Sequence, residues 1–368
     1  MKYLFVVQGE GRGHFTQALS LKNMLERNGH EVVAVMVGSS AKRTLPDFFT
    51  QKINSELVRF QSPNFLPTPK GKQSPLLVSI LYNLLLVPVY LQSLYTIHKT
   101  IRTTKPDVVI NFYELLCGVT YGLFNPKPPM INVAHQYYFL TPDFKYTGEN
   151  EKQFKLLNFY SRLTAMNAYK TLALSFRIDK YSSFGNIIIV PPLLRREVLQ
   201  KETSDGDYIH GYMLNSGFAK ELAEWSSINP KESLHFFWDK KKVDTTVSLT
   251  PNLTMHKLSD TLFLEYMAGC KAYATTGGFE SVCEAMYMQK PVLMVPTHIE
   301  QECNVIDALR SGAGVTDEEF DLDILLECIP SYKRTNEFRY WTHTAESLFM
   351  YELTRIETEE TSIFAPSI

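Results

Sequence analysis

The residues best suited to chemistry gather around a pair of glycines. Gly277 and Gly278 follow a short β-type run, Lys271 to Thr275, and open a helical stretch, Glu280 to Met288. Such a turn offers free backbone N–H groups and the positive end of a helix dipole to an anion. Phe279, Glu280 and Ser281 stand in the first turn of that helix. Glu284 follows Glu280 by four residues, on the same helix face, where a carboxylate can accept hydrogen bonds from a ribose. Gln289-Lys290-Pro291 stops the helix, and a second apolar run, Val292 to Val295, leads into a loop carrying Glu300 and Gln301, groups able to hold sugar hydroxyls. Strand, turn, helix, strand, loop is a βαβ unit with both loops at the carboxyl ends of its strands, the edge at which open α/β sheets bind ligands. Packing alone would require neither the glycine pair nor the loop carboxylate and amide.

A second set lies near the start of the chain. The apolar run Tyr3 to Val7 ends in Gln8-Gly9-Glu10-Gly11-Arg12-Gly13-His14, followed by an amphipathic helix, Gln17 to Arg27, and a strand, Glu31 to Val37. Glycines between strand and helix invite a dinucleotide-fold reading. The spacing is not Gly-x-Gly-x-x-Gly, however, and the second strand carries no acidic residue at its end. An unperturbed histidine titrates near ~6.5 and can take a proton from a hydroxyl at neutral pH; the alternative for His14 is a plain helix cap. Pro106 to Phe112 is another buried strand, with Tyr113-Glu114 at its end. Glu114 is the expected carboxylate partner that would orient His14.

The order Gly-Gly-Phe-Glu-Ser-x-x-Glu-Ala, Lys-Pro-Val-Leu-x-x-Pro, Glu-Gln-x-x-Asn resembles the donor-binding segment of GT-B glycosyltransferases, among them the UDP-glycosyltransferases and the peptidoglycan N-acetylglucosaminyltransferase. The likeness covers nearly the whole chain in element order. It is specific in Ala272 to Asn304 and less so in Gly9 to His14. It implies an α/β fold of two Rossmann-like domains whose parallel sheets face a central cleft. Residues 1–192 would bind the acceptor and 193–335 the nucleotide sugar, with a helix in 336–368 crossing back to the first domain.

By the same resemblance, Gly11, Gly13 and His14 form the acceptor loop, with His14 as base. His135 and Gln136, after the strand Pro129 to Val133, line the acceptor side. An arginine at the Pro191 to Glu197 junction binds the diphosphate, and both Arg195 and Arg196 are eligible. Ser216 and Gly217, after the strand Tyr208 to Leu214, form a second phosphate turn. His256 belongs to a loop beside the nucleotide base. The implied reaction moves a sugar from a nucleotide sugar, a UDP-sugar first, to a hydroxyl acceptor, with inversion and without metal or cofactor. A UDP-sugar 2-epimerase of the same fold and a non-catalytic nucleotide-sugar-binding protein are the rivals.

Composition agrees with this frame. At 368 residues the chain is long enough for two domains, and 45% hydrophobic with 21% charged residues is ordinary for a globular protein. A net charge of −2 argues against a nucleic-acid partner. Five cysteines without a Cys-x-x-Cys fit a reducing cytosol and suggest no metal site. Met1-Lys2 runs straight into a strand, so no signal peptide is expected. Asp205-Gly-Asp207 matches the metal motif of GT-A enzymes but precedes a strand, and is read as a turn. Pro75 to Tyr95 is apolar and uncharged, with Pro88 inside it. It is close to the length of a membrane span, yet a span would part the first strands from their domain. Two readings remain: a buried helix bent at Pro88, or a helix resting on a membrane surface beside a lipid-linked acceptor, helped by Lys70, Lys72, Lys99, Arg102 and Lys105.

Overall fold

The computed structural model describes residues 1–41, 43–64, 82–177, 183–213, 216–238 and 246–363, and these build two β-sheets covered by helices. The first contains β1 (Lys2–Gln8), β2 (Glu31–Ser39), β3 (Glu56–Gln61), β4 (Val108–Phe112), β5 (Met130–Ala134), β6 (Lys170–Leu174), β7 (Ser183–Phe184) and β8 (Ile187–Val190). Their order is β3-β2-β1-β4-β5-β6-β8-β7. The second contains β9 (Tyr208–Met213), β10 (Ser233–Trp238), β11 (Val247–Thr250), β12 (Leu253–Lys257), β13 (Ala272–Thr275), β14 (Val292–Met294) and β15 (Gly314–Thr316), in the order β11-β12-β10-β9-β13-β14-β15. Pairing is parallel apart from the edge pairs β7/β8 and β11/β12. Tyr3 to Val7 are all fully buried, as a strand covered on both faces must be, which is why the run is continuously apolar instead of alternating.

This topology fixes where a ligand can go. In each sheet the strand order reverses beside the first strand: β2 and β4 flank β1, and β10 and β13 flank β9. Connections leaving such a pair diverge to opposite faces and open a crevice at the carboxyl ends. The Gly9–His14 loop and Tyr113-Glu114 leave β1 and β4; Ser216-Gly217 and Gly277-Gly278 follow β9 and β13. Both glycine-bearing loops therefore sit at switch points.

Several elements differ from the sequence reading. Pro88 lies in the first turn of the helix Val87–Thr104. A proline there loses no hydrogen bond, so it starts the helix instead of bending it. Residues 75–81 lie outside the described residues. The helix turns Tyr90, Ser93, Leu94, Ile97 and Ile101 inward but leaves Val87, Leu91 and Tyr95 exposed, as are Leu84 and Leu85 just before it. Among the described residues no helix is long and apolar enough to cross a membrane. His256, expected in a loop, lies within β12, whose Leu253 and Met255 are buried in strand alternation. The polar stretch Asp143 to Glu151 is tied down. The Tyr146 hydroxyl donates to Glu302 (2.8 Å), and Arg310 donates to the Asp143 carbonyl (3.0 Å). At the end of the chain, the helices Glu337–His343 and Ala345–Ile363 return to the first sheet. Trp341 Nε1 donates to the Ser175 carbonyl at 2.9 Å, and Lys170 Nζ meets the Glu352 carboxylate at 2.9 Å.

Candidate active site

On the first sheet's side, the turn after β1 brings His14 into the first turn of the helix Gly13–Arg27. The imidazole is buried, and Nδ1 lies 3.2 Å from Gln17 Oε1. An amide oxygen only accepts, so Nδ1 carries the hydrogen and Nε2 is left as the basic nitrogen. Burial lowers the His14 pKa, opposed by the charge of Glu300 and the bond to Gln17. The ring stacks on Tyr113 at 5.7 Å. Tyr113 itself has φ 61°, a left-handed backbone that is strained for an aromatic residue, and its hydroxyl hydrogen-bonds Ser161 at 2.8 Å. The strain falls immediately after β4, at the switch point.

Glu114 does not orient His14. Its Oε1 accepts from the Ser62 hydroxyl (2.5 Å) and from Leu116 N (3.1 Å), which caps the helix Leu115–Phe124. A carboxylate at an N-cap satisfies orphan N–H groups and is drawn to the helix end instead of across to the histidine. Burial pushes its pKa up to about 7, offset in part by the Ser62 and Leu116 bonds.

On the second sheet's side, Gly277 has φ +82°, and a Cβ there would come within 2.8 Å of Val305 Cγ2, so the turn admits only glycine. Asn304 Nδ2 donates to the Gly277 carbonyl at 3.1 Å. Gln301 does not reach open space. Its Oε1 accepts from Thr297 N and Oγ1 (2.9 and 2.8 Å), and its Nε2 donates to Thr276 Oγ1 (3.1 Å). Its oxygen and one of its two N–H groups brace the loops after β13 and β14. Gly278 is the N-cap of the helix Phe279–Tyr287, and the Ser281 hydroxyl donates back to its carbonyl at 3.3 Å.

The carboxylates of this half meet partners from the first unit and from the junction that follows it. Gln17 Nε2 donates to Glu280 Oε1 at 2.6 Å, and Gly13 lies so close that a Cβ on it would be 3.0 Å from Glu280 Cγ. Burial raises the Glu280 pKa to about 8, with the Gln17 bond opposing. Arg195 Nε meets Glu284 Oε1 at 2.6 Å, Gln136 Nε2 donates to Glu300 Oε1 at 3.0 Å, and Arg12 pairs with Asp260 at 3.0 Å. Of the two junction arginines, Arg195 faces the crevice while Arg196 is exposed. Gly11 stands in open space, and Ser216 and Gly217 lie in a turn before the helix Ala219–Ile228.

Two histidines are packing groups in this arrangement. His135 donates through Nδ1 to the Leu174 carbonyl (2.7 Å) and stacks on Phe279 at 4.0 Å, so it supports that residue from beneath instead of lining the acceptor side. Burial takes its pKa down to about 3. His256 Nε2 faces His235 Nδ1 at 3.0 Å, and its ring packs on Phe237 and Tyr266. Asp205 is salt-bridged to Arg334 at 2.6 Å, and among the described residues no group of three or more His, Cys, Asp or Glu could hold a metal. Gln17 and the Arg12–Asp260 pair escaped the sequence reading, and Asn304 entered it only as the last residue of the Glu-Gln-x-x-Asn motif. The one signal for Gln17 was its place three residues after His14 on a helix, within reach of its side chain.

The family model for glycosyl transferase family 1 matches residues 1–330. The chain belongs to that family. It is a glycosyltransferase of the GT-B fold, a class that draws its sugar from a nucleotide-sugar donor. No curated protein matches the sequence. Among solved structures, this family 1 chain is similar to the glycosyltransferase of kitacinnamycin (TM-score 0.63, 16% identity, 95% of this chain and 98% of that one). It is also similar to Phytolacca americana UGT2 complexed with UDP-2-fluoro-glucose and pterostilbene (TM-score 0.61, 12% identity, 94% of each chain). Arabidopsis thaliana UGT89C1 complexed with UDP-L-rhamnose gives a TM-score of 0.60 at 13% identity, again over 94% of each chain. At these identities the likeness is one of fold.

Proposed function

We propose that this glycosyltransferase moves a hexose from a UDP-sugar to a hydroxyl acceptor with inversion, without a metal. The acceptor is taken by residues 1–192 and the donor by 193–335, with 336–368 fastening the end of the chain to the first unit. One observation carries the reading: the buried His14 is joined at Nδ1 through Gln17 to the first turn of the helix that the Gly277-Gly278 turn opens.

In this mechanism the N–H groups at Gly277 and Gly278, and those after Ser216 and Gly217, stabilise the charge that develops on the leaving diphosphate. Arg195 exchanges Glu284 for the diphosphate, which frees the carboxylate for the ribose hydroxyls. Glu300, with Gln136 beside it, holds sugar hydroxyls. The acceptor oxygen attacks the anomeric carbon as the bond to the diphosphate breaks, and its proton passes to His14 Nε2. A single base-assisted displacement inverts the centre.

A screen of UDP-sugars against hydroxyl acceptors, with mass and anomeric analysis of products, tests this. An inverted glycoside that disappears in His14→Ala supports it. Epimerised donor formed without acceptor would make the protein a UDP-sugar 2-epimerase, and UDP binding with no turnover a nucleotide-sugar-binding protein.

A specific surface favours a lipid-linked acceptor reached from the inner face of a membrane. Leu84 and Leu85, just before the helix Val87–Thr104, and Val87, Leu91 and Tyr95 within it are exposed, Leu85 by 81%, and exposed Lys99, Arg102 and Lys105 follow with no acidic residue between 82 and 106. Apolar side chains backed by basic ones match an anionic bilayer surface. Sedimentation with phosphatidylglycerol vesicles, lost in Leu85→Ser/Leu91→Ser, is the expected result. Wild-type protein that ignores such vesicles refutes it.

A further inference from the structure

We infer that Gln17 is a positioning residue that sets the tautomer of His14, and that Glu280 holds Gln17 in the required orientation from the opposite side of the cleft. The inference rests on the transferase reading only for its catalytic meaning; the geometry stands by itself. His14 lacks the carboxylate partner that a base of this kind ordinarily leans on, because Glu114 is held by Ser62 and Leu116 N. Its place is taken by a neutral amide, Gln17 Oε1, 3.2 Å from Nδ1.

An amide can be turned either way, and the two orientations have opposite consequences. With oxygen toward His14, Nδ1 must carry the hydrogen and Nε2 keeps its lone pair. With nitrogen toward His14, Nδ1 must accept, the hydrogen moves to Nε2, and the base is lost. Glu280 decides between them. Its Oε1 accepts from Gln17 Nε2 at 2.6 Å, as a carboxylate or as the carbonyl oxygen of an acid whose proton sits on Oε2, and this points the amide nitrogen at Glu280 and the oxygen at His14. Gly13 packs closely on Glu280, and a Cβ there would lie 3.0 Å from Glu280 Cγ. Glu280 Oε2 is buried with no hydrogen-bond partner among the described residues, so the Gln17 bond is the group's polar tie.

The chain His14, Gln17, Glu280 therefore links the base to the first turn of the donor-side helix. When the acceptor hydroxyl loses its proton, that proton joins Nε2 while the Nδ1 hydrogen stays on Gln17 Oε1, and the imidazolium later releases the Nε2 proton to solvent. Because Glu280 belongs to the second sheet's half, the productive tautomer is set only while the halves are closed on each other.

The test is a long-range ¹H–¹⁵N spectrum of the full chain with ¹⁵N-labelled histidine, without substrate, in which His14 is assigned by its loss in His14→Ala. Wild type is expected to show Nδ1 protonated and Nε2 bare. Gln17→Leu and Glu280→Ala should each move population to the Nε2-protonated form. With an active donor and acceptor, Gln17→Leu should lower kcat about 100-fold at unchanged donor KM. A wild-type His14 already protonated on Nε2, or a tautomer that ignores both substitutions, overturns the inference. Should Gln17→Leu fail to fold, the wild-type and Glu280→Ala spectra decide. A chain with the expected tautomer but no transferase activity would refute the proposed function and leave this assignment standing.

Discussion

Removing Arg195 should destabilise the protein more than removing Glu284, although both substitutions delete the same ion pair. The Glu284 side chain is 3% exposed and the Arg195 side chain 18%, with Nε and Oε1 2.6 Å apart. Arg195→Ala strands a carboxylate that water cannot reach, which costs about 3–5 kcal/mol. Glu284→Ala leaves a guanidinium with a route to water and with Asp260 and Glu197 near enough to attract it, so the loss is closer to that of a charged hydrogen bond, about 1.5–3 kcal/mol. At roughly 2–4 °C per kcal/mol for a unit of this size, melting temperatures should fall by about 6–20 °C and about 3–12 °C respectively. The decisive member of the series is Arg195→Ala/Glu284→Ala. It removes the stranded charge along with its partner and should melt above Arg195→Ala alone. Thermal denaturation at pH 7 followed by circular dichroism reads all four proteins. A double variant that melts at or below the sum of the two single losses would refute the reasoning, because the pair would then not be acting as a buried charge and its counterion.

Other outcomes follow from the same geometry. Burial raises Glu114 from 4.5 to about 7 and Glu280 from 4.5 to about 8, so the folded state binds these protons more tightly than the unfolded chain. Their stabilisation is complete below pH 4.5 and is lost as pH rises through those values. Urea midpoints should therefore contain a component that falls between about pH 4.5 and 8, and Glu114→Gln should flatten its part below about pH 7. His14→Ala should lower kcat by about 10²- to 10⁴-fold while leaving the UDP dissociation constant within about twofold, measured by steady-state kinetics and calorimetry. Gly277→Ala forces a Cβ into a left-handed turn against Val305 and should lose about 1–3 kcal/mol in chemical denaturation.

What could be read from the sequence was what local patterns determine. Continuous apolar runs bounded by Gly, Pro and Asn gave most of the strands. Gly277-Gly278 announced a turn that the left-handed φ of Gly277 requires, and Gln289, also left-handed at φ 57°, ends the following helix just before Lys290-Pro291. The residues misread were those whose partners lie far away in sequence. Glu114 stands one residue from Tyr113, which stacks on His14, yet Ser62, 52 residues away, claims its carboxylate. Gln301, read as a sugar ligand from its place beside Glu300, also donates to Thr276 on the preceding turn, a contact that its spacing does not announce. His135 and His256 are polar residues within stretches that fold into packed layers, where an imidazole can serve as a neutral aromatic ring. Gln17 was overlooked since nothing local marks an amide that bonds to a carboxyl 263 residues later. Pairings of that kind follow from topology, which a single sequence states only indirectly.

The most direct measurement is UDP binding by calorimetry to the wild type and to Glu284→Ala, each with and without Mg²⁺. The account predicts binding to the wild type that is indifferent to the metal and weakened at least tenfold by the substitution. Binding that requires Mg²⁺, or that Glu284→Ala leaves untouched, would contradict a donor site at the helix opened by Gly277 and Gly278.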